Sequence, residues 1–444
     1  MTRHTSSPLV DAAFQVLRDN DRGHMITAAP DLYPHQWSWD AALISVGLAH
    51  QRFARAIVEW RTIFEAQWST GMLPHIVFDP DSPDYFPGFD AWGTEGVPAR
   101  PTGVLTSGIA QPPVHAMCVE LVADIGRETG GEHLTQAEAF VVDAVPRLLA
   151  WHDWWSTARD PENRGLLEIH HGWESGMDNS PRFDPIYERI QVDRPRVLPR
   201  TDLRHADAVE RPSDREYQRY LHLIDQLRSV NFDDTLAISA IDFRCGDVFS
   251  TACLAASSEA LARMADSVGE TSMASRERER AQRCRDAVLS SIDPESGLCR
   301  DWDYTASTWL DISSIAGFSL LVSGGPPAEV ARQRDILRGT RWMGHPDNRY
   351  PVPPSISLDD PAFRPREYWR GPTWPIVTWL FAETARRRGD RDLADELRVA
   401  GLDQLADLEF GEYYEPLTGE PLGSHRQSWT AMAAIDWTVG RRWA

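Results

Sequence analysis

Apolar side chains recur at intervals of three and four through most of this chain, a period that predicts helices rather than strands. The recurrence covers about 8–19, 39–50, 51–67, 111–128, 135–157, 214–228, 246–267, 272–290, 308–322, 327–338, 373–387, 391–405 and 427–438. The longer intervals between them, about 69–108, 158–213, 293–307 and 339–372, are rich in Pro, Gly, Asp and Trp and read as elaborated loops. Four clusters of unusual residues, 33–40, 105–111, 367–374 and 423–429, lie immediately before strongly apolar helices. In a toroid of antiparallel helix pairs the inner helices run parallel. Their preceding loops then gather at one end and aim backbone N–H groups into the ring. The pattern predicts an all-α fold, an (α/α)6 barrel of six inner and six outer helices with one deep mouth. No fixed repeat, low-complexity tract or dividing linker interrupts the chain, so 1–444 reads as a single domain.

The 42% hydrophobic content over 444 residues supports a large core, and the formal charge of −21 argues against nucleic acid or an anionic membrane as partner. All 45 basic residues are Arg. The five cysteines, Cys118, Cys245, Cys253, Cys284 and Cys299, are odd in number and lack Cys-x-x-Cys spacing, which reads as reduced thiols in a cytoplasmic protein. Met1–Asn20 starts polar and continues as an amphipathic helix without a secretory apolar stretch. No apolar run reaches the ~20 residues a bilayer span requires. The chain length leaves a homo-oligomer open.

Two runs carry the chemistry. Trp173-Glu174-Ser175-Gly176-Met177-Asp178 places carboxylates in a Gly- and Trp-bearing loop, and Gly411-Glu412-Tyr413-Tyr414-Glu415-Pro416 places two more among phenols. Paired carboxylates beside indoles suit glycosidic cleavage, where one acid protonates the leaving oxygen and one base activates water. Asp178 is the candidate acid, because Trp173 and Met177 desolvate it; the competing role is a turn-forming Asx. Glu412 is the candidate base, with Glu415 and Glu420 left open by spacing alone.

Tyr33-Pro34-His35-Gln36-Trp37-Ser38-Trp39-Asp40 brings indoles that pack on a pyranose face and a carboxylate that accepts its hydroxyls, unless Asp40 merely caps the helix and the Trp pair is core. Gly71–His75 followed by Asp84-Tyr85-Phe86-Pro87-Gly88 forms a further wall with Tyr85. Gln111, before Pro112-Pro113, is a site amide near a helix start. Arg211, with Tyr217 just inside the next helix, offers a fork for a small carboxylate. The same region holds Arg196, Arg200, Arg204, Arg215 and Arg219, so a salt-bridged surface is the alternative there. Glu367-Tyr368-Trp369-Arg370-Gly371-Pro372-Thr373-Trp374 suits an aromatic platform, with Trp379 as core. No His-Glu-x-x-His or comparable ligand spacing occurs, so neither a catalytic metal nor a cofactor is expected. Two other readings keep the toroid. One is a sugar epimerase using paired histidines among His24, His35, His75 and His171, and the other is a carbohydrate-binding protein without turnover.

Tyr33–Asp40, Trp173–Asp178, Glu367–Trp374 and Glu412–Ala431 together resemble glycoside hydrolase family 63, in its bacterial branch of mannosylglycerate and glucosylglycerate hydrolases, over nearly the whole chain. The resemblance implies an (α/α)6 barrel and an inverting mechanism, with Asp178 as general acid and Glu412 as general base. It places Tyr33, Trp37, Trp39, Asp40, Gln111, Trp173, Gly176, Tyr368, Trp369 and Trp374 around the sugar. Tyr85, Arg211, Tyr217 and Gln427 fall at the glycerate end. It makes about 180–235 a helical cap inserted in the barrel. The implied reaction is hydrolysis of a small α-glycosylglycerate, 2-O-α-glucosylglycerate first and mannosylglycerate second, to hexose and glycerate. Such an enzyme serves carbohydrate and compatible-solute metabolism with a small-molecule glycoside as its partner.

Overall fold

The computed structural model describes residues 7–82 and 85–443. Met1–Ser6, the polar start of the N-terminal reading, and Asp84 of the Asp84–Gly88 run lie outside the described residues. Twelve helices build the (α/α)6 barrel: α1 Pro8–Asp19, α2 Ser38–Ala49, α3 Phe53–Glu65, α4 His115–Thr129, α5 Glu132–Ala158, α6 Val248–Ser267, α7 Thr271–Ser290, α8 Ser319–Ser323, α9 Pro327–Arg338, α10 Pro375–Arg387, α11 Arg391–Gln404 and α12 Ser428–Val439. The even-numbered helices pack one against the next in a closed inner ring. Each is backed by an outer helix adjacent in sequence, except that α1 from the chain's start backs α12.

This division follows from composition. An inner helix meets neighbours on every side, so α2 is buried along its whole length, Ser38 to Ala49. Outer α1 buries a single stripe of Val10, Ala13, Phe14, Val16 and Leu17. The loops entering the ring meet at one end, where antiparallel bridges join Ser314 to Ile356, Pro354 to Thr373 and Thr373 to Tyr414. Short antiparallel ladders shape the same end: β1 Gln36–Trp37 with β2 Ile76–Val77, a four-stranded set of β3 Glu168–Ile169, β4 Cys245–Gly246, β5 Asp301–Asp303 and β6 Thr308–Leu310, and β7 Tyr413–Tyr414 with β8 Pro421–Leu422.

Three departures from the periodicity have local causes. The predicted helix 308–322 is instead β6, a 3-10 turn Ile315–Phe318 and the five-residue α8, because Thr308-Trp309-Leu310 pairs with β5 and Gly324-Gly325-Pro326 stops the helix. α4 starts at His115 rather than 111, since each residue before Pro112 and Pro113 is biased toward extended backbone. Asp234–Ala240 is a helix in a stretch that carries little apolar period; Asp233 caps it by accepting from the Thr235 and Leu236 amides. Between the acid-bearing loop and α6 the chain also forms the helix Asp214–Ser229. Its start is fixed by a capping box in which Ser213 and Glu216 satisfy each other's backbone amides.

A buried carboxylate closes the ring. Asp436 on α12 accepts from His50 Nε2 at the end of α2 (2.8 Å), from Trp379 Nε1 on α10 (2.9 Å), from Trp443 Nε1 (3.0 Å) and from Arg442. Burial alone would raise its pKa, but Arg442, His50 and Trp379 hold it well below the usual carboxylate range. Asp436→Ala leaves the His50, Trp379 and Trp443 donors without their acceptor in the core and Arg442 with Glu383 alone. It is expected to destabilise the protein by about 3–5 kcal/mol, read as a lowered urea midpoint; an unchanged midpoint would contradict this role.

Candidate active site

The loops at the mouth enclose a cavity walled by indoles and phenols, with Asp40, Asp178, Arg211 and Glu412 facing it. One wall is set by β1, which fixes Trp37, and by the first turn of α2, which turns Trp39 and Asp40 inward. Asp40 is the third residue of α2, and its extended neighbour Trp37 occupies the cap position, so the capping role does not describe it. The Trp39 amide donates to Gln111 Oε1 (3.2 Å), which orients the Gln111 side chain at the cavity.

The Asp178 loop is held from behind. Glu174 is fully buried, receives Arg159 Nη2 (2.8 Å), and also accepts from the Ala110 (3.2 Å) and His170 (2.7 Å) amides. It thereby binds the Gln111 loop to the acid loop and has no face on the cavity. Gly176 has a φ of +68°, and a Cβ there would stand 2.8 Å from the Trp39 indole. Asn179 Oδ1 then accepts from the Trp369 amide (3.1 Å), joining this loop to the aromatic platform. Between these anchors Asp178 keeps part of its surface open to the cavity. Burial pushes its carboxyl up to about 7; Arg211 and its own backbone amide pull against that, and the nearby Glu412 charge adds to it.

Glu412 is buried as well, but more donors hold its carboxylate. It leads into β7, and its backbone amide donates to the Ser424 carbonyl (2.8 Å) while the Ser424 amide donates to Glu412 Oε2 (3.1 Å). Tyr33 Oη donates to Glu412 Oε1 (2.8 Å), and Arg211 Nη1 donates to that same phenol oxygen (2.7 Å). Burial raises the Glu412 pKa, and Arg211, the Ser424 amide and the Tyr33 and Tyr368 hydroxyls draw it back. Glu415 instead accepts from Thr418 in its own turn, and Glu420 pairs with Arg366 on the surface, so Glu412 alone of the three lines the cavity.

Arg211 is buried, with its guanidinium over the Tyr368 ring at 4.5 Å. The surface reading fits Arg196, which pairs with Asp225, and Arg200, which pairs with Asp202 and Asp214. Tyr85 and Tyr217 line the cavity on the Arg211 side, and Trp173, Tyr368, Trp369 and Gln427 complete the wall. Trp374 differs from expectation. It lies behind Trp369, ring on ring at 3.7 Å, and stiffens the platform without facing the cavity.

Two lining residues lie outside the set that the resemblance placed around the sugar and glycerate, although His75 closes the Gly71–His75 wall read from sequence. His75, on the chain entering β2, stacks beside Trp173 at 5.8 Å. Trp429 meets Trp39 edge-on at 5.4 Å. A signal for Trp429 is present in the sequence, because Ser38-Trp39 and Ser428-Trp429 open α2 and α12 in the same register. The histidines required for epimerisation do not converge: His75 lines the cavity, His24 is about half exposed, and His35 and His171 are buried with pKa values pushed down to about 4 by desolvation.

The model of the mannosylglycerate hydrolase MGH1-like glycoside hydrolase domain matches residues 33–430, a span that contains both carboxylates and the cavity around them. The chain belongs to this family, in the bacterial branch of glycoside hydrolase family 63. It is 43% identical over 439 residues to a glucosylglycerate hydrolase from Mycolicibacterium hassiacum, covering 98% of each chain. It is 36% identical over 427 residues to a mannosylglycerate hydrolase from Thermus thermophilus, covering 96% of this chain and 99% of the other. The crystal structure of a family 63 mannosylglycerate hydrolase from Thermus thermophilus in complex with Tris and D-glycerate superposes with a TM-score of 0.88, at 36% identity over 97% of this chain and 100% of that one. As a member of a glycoside hydrolase family, the protein is an O-glycosyl hydrolase.

Proposed function

We propose that this protein is an inverting hydrolase of 2-O-α-glucosylglycerate, releasing glucose and glycerate, with mannosylglycerate as the second substrate. The observation that carries the reading is that two buried carboxyls, Asp178 and Glu412, face one aromatic-walled cavity. Asp178, with a pKa near 7, keeps its proton in much of the neutral range and can give it to the glycosidic oxygen. Glu412 receives the Ser424 amide on one oxygen and the Tyr33 hydroxyl on the other, beneath the Arg211 charge; these donors favour its ionised form against the pull of burial, as a base that takes a proton from water requires. Trp39, Trp173 and Trp369 offer apolar faces to the hexose, and Asp40 accepts from its hydroxyls. Arg211, with Tyr85, Tyr217 and Gln427, receives the glycerate, whose carboxylate matches a guanidinium fork.

Residues of about 180–235 form the cap over this site in our reading, supported by the position of Arg211 and Tyr217 within them. The preference for glucose over mannose is supported by the higher identity to the glucosylglycerate hydrolase. A cytoplasmic location is supported by five buried, unpaired cysteines.

Proton NMR of the protein with 2-O-α-glucosylglycerate tests the reading. The β-anomer of glucose is expected in the first spectra, with the α-anomer growing in only as mutarotation proceeds. Initial α-glucose would overturn inversion, and turnover of mannosylglycerate alone would overturn the choice of hexose.

A further inference from the structure

Glu210, next to Arg211, is a buried carboxylate with 6% of its surface exposed, and the roles above leave it unused. It reaches across to the loops that carry Glu412. Its Oε2 accepts from the Gly423 amide (3.0 Å), its Oε1 accepts from Arg366 Nη2 (3.0 Å), and its backbone carbonyl accepts from Tyr413 Oη (2.8 Å). Arg366 also grips Glu420 near the other end of the same loop. These contacts bracket the base: Tyr413 follows Glu412 in sequence, and Gly423 precedes Ser424, whose amide donates to the Glu412 carboxylate. Gly423 has no freedom to take a side chain, since its φ is +69° and a Cβ would stand 2.6 Å from Glu412 Oε2. The Gly423–Ser424 backbone is thus packed tightly on the base, held on one side by the Glu412 amide, which donates to the Ser424 carbonyl (2.8 Å), and on the other by Glu210.

We propose that Glu210 is a positioning residue that makes the general base competent when the segment Thr201–Ser213 docks. The inference rests on Glu412 being the base. Residues 210 and 211 act on it from two directions. Glu210 fixes the Ser424 amide on one carboxylate oxygen, and Arg211 polarises the Tyr33 hydroxyl on the other. With the segment undocked, both supports leave together, and Glu412 loses a donor and a nearby cation. Its ionised form is then less favoured and its pKa rises.

The test uses Glu210→Gln, which keeps the shape but removes the charge that holds Arg366, and two substrates. 2-O-α-glucosylglycerate needs both acid and base. α-Glucosyl fluoride has a leaving group that needs no acid and carries no glycerate, so its hydrolysis reads the base alone. The expected result is a fall in kcat of about 10–100-fold on both substrates, the scale of a misplaced catalytic group, with the acidic limb of the pH profile moved to higher pH. Arg366→Met, a change at the rim, is expected to give the same pattern more weakly if the first variant folds poorly. Unchanged rates and pH limbs would overturn the proposal. So would loss confined to the glycerate substrate, which would restrict Glu210 to holding Arg211 for the ligand. Failure of the functional reading itself is distinct, because wild-type protein would then leave glucosylglycerate intact.

Discussion

Asp178→Asn is expected to lower kcat on 2-O-α-glucosylglycerate by about 10³-fold, within the range general acid catalysis contributes, while KM changes little. The amide keeps the shape of the carboxyl and its place beside Trp173 and Gly176, so the pocket still binds. It has no proton of suitable acidity for the leaving oxygen. α-Glucosyl fluoride, which leaves unaided, should therefore still turn over at a rate within about tenfold of wild type, and a comparable loss on both substrates would remove Asp178 from the acid role. The same variant has a stability signature. The Asp178 pKa is about 7 in the folded protein, against about 3.9 in an unfolded chain. Between those values the folded state binds a proton that the unfolded state has released, so the wild type loses stability as pH rises through that window. Asn does not titrate. Its thermal midpoint should match the wild type near pH 3 and exceed it above pH 8.

The barrel was legible because helical period runs through most of the chain and the clusters at 33–40, 105–111, 367–374 and 423–429 stand just before strongly apolar helices, as loops entering an inner ring do. Reading broke down where a helix is very short. α8 has only five residues, and the strand-forming Thr308-Trp309-Leu310 ahead of it shares an apolar spacing with a helix face. The carboxylates were legible for a different reason: glycines and indoles in a loop have no core to build, which singled out the Asp178 and Glu412 runs. Composition gave no basis for choosing among Glu412, Glu415 and Glu420, since the choice depends on which side chain faces inward across a two-residue ladder. The resemblance placed Trp374 with Trp369 around the sugar, and sequence does not tell which ring of the stacked pair stands in front. Glu210 went unnoticed because its partners, Gly423 and Arg366, are more than 150 residues away.

The second large effect belongs to Arg211, the cation that both cavity carboxyls share. It lowers the pKa of Asp178 and of Glu412 alike, and through Tyr33 it supplies the base with a polarised donor. Arg211→Met is expected to reduce kcat/KM on glucosylglycerate by about 10³-fold, in line with the 2–5 kcal/mol that truncating one partner of a buried charge pair costs. The loss should divide into two parts with different readouts. KM rises because the glycerate carboxylate loses its fork, and the acidic limb of the pH profile shifts upward because Glu412 holds its proton to higher pH. Arg211→Lys separates them. An ammonium restores positive charge and so returns the pH limb toward its wild-type position, yet it cannot make two parallel bonds, so KM stays high. On α-glucosyl fluoride, which has no carboxylate, the Lys variant should recover most of its rate and the Met variant should not. A Met variant with wild-type pH limbs would confine Arg211 to substrate binding. A Lys variant that restored KM would remove the fork as the basis for recognising glycerate.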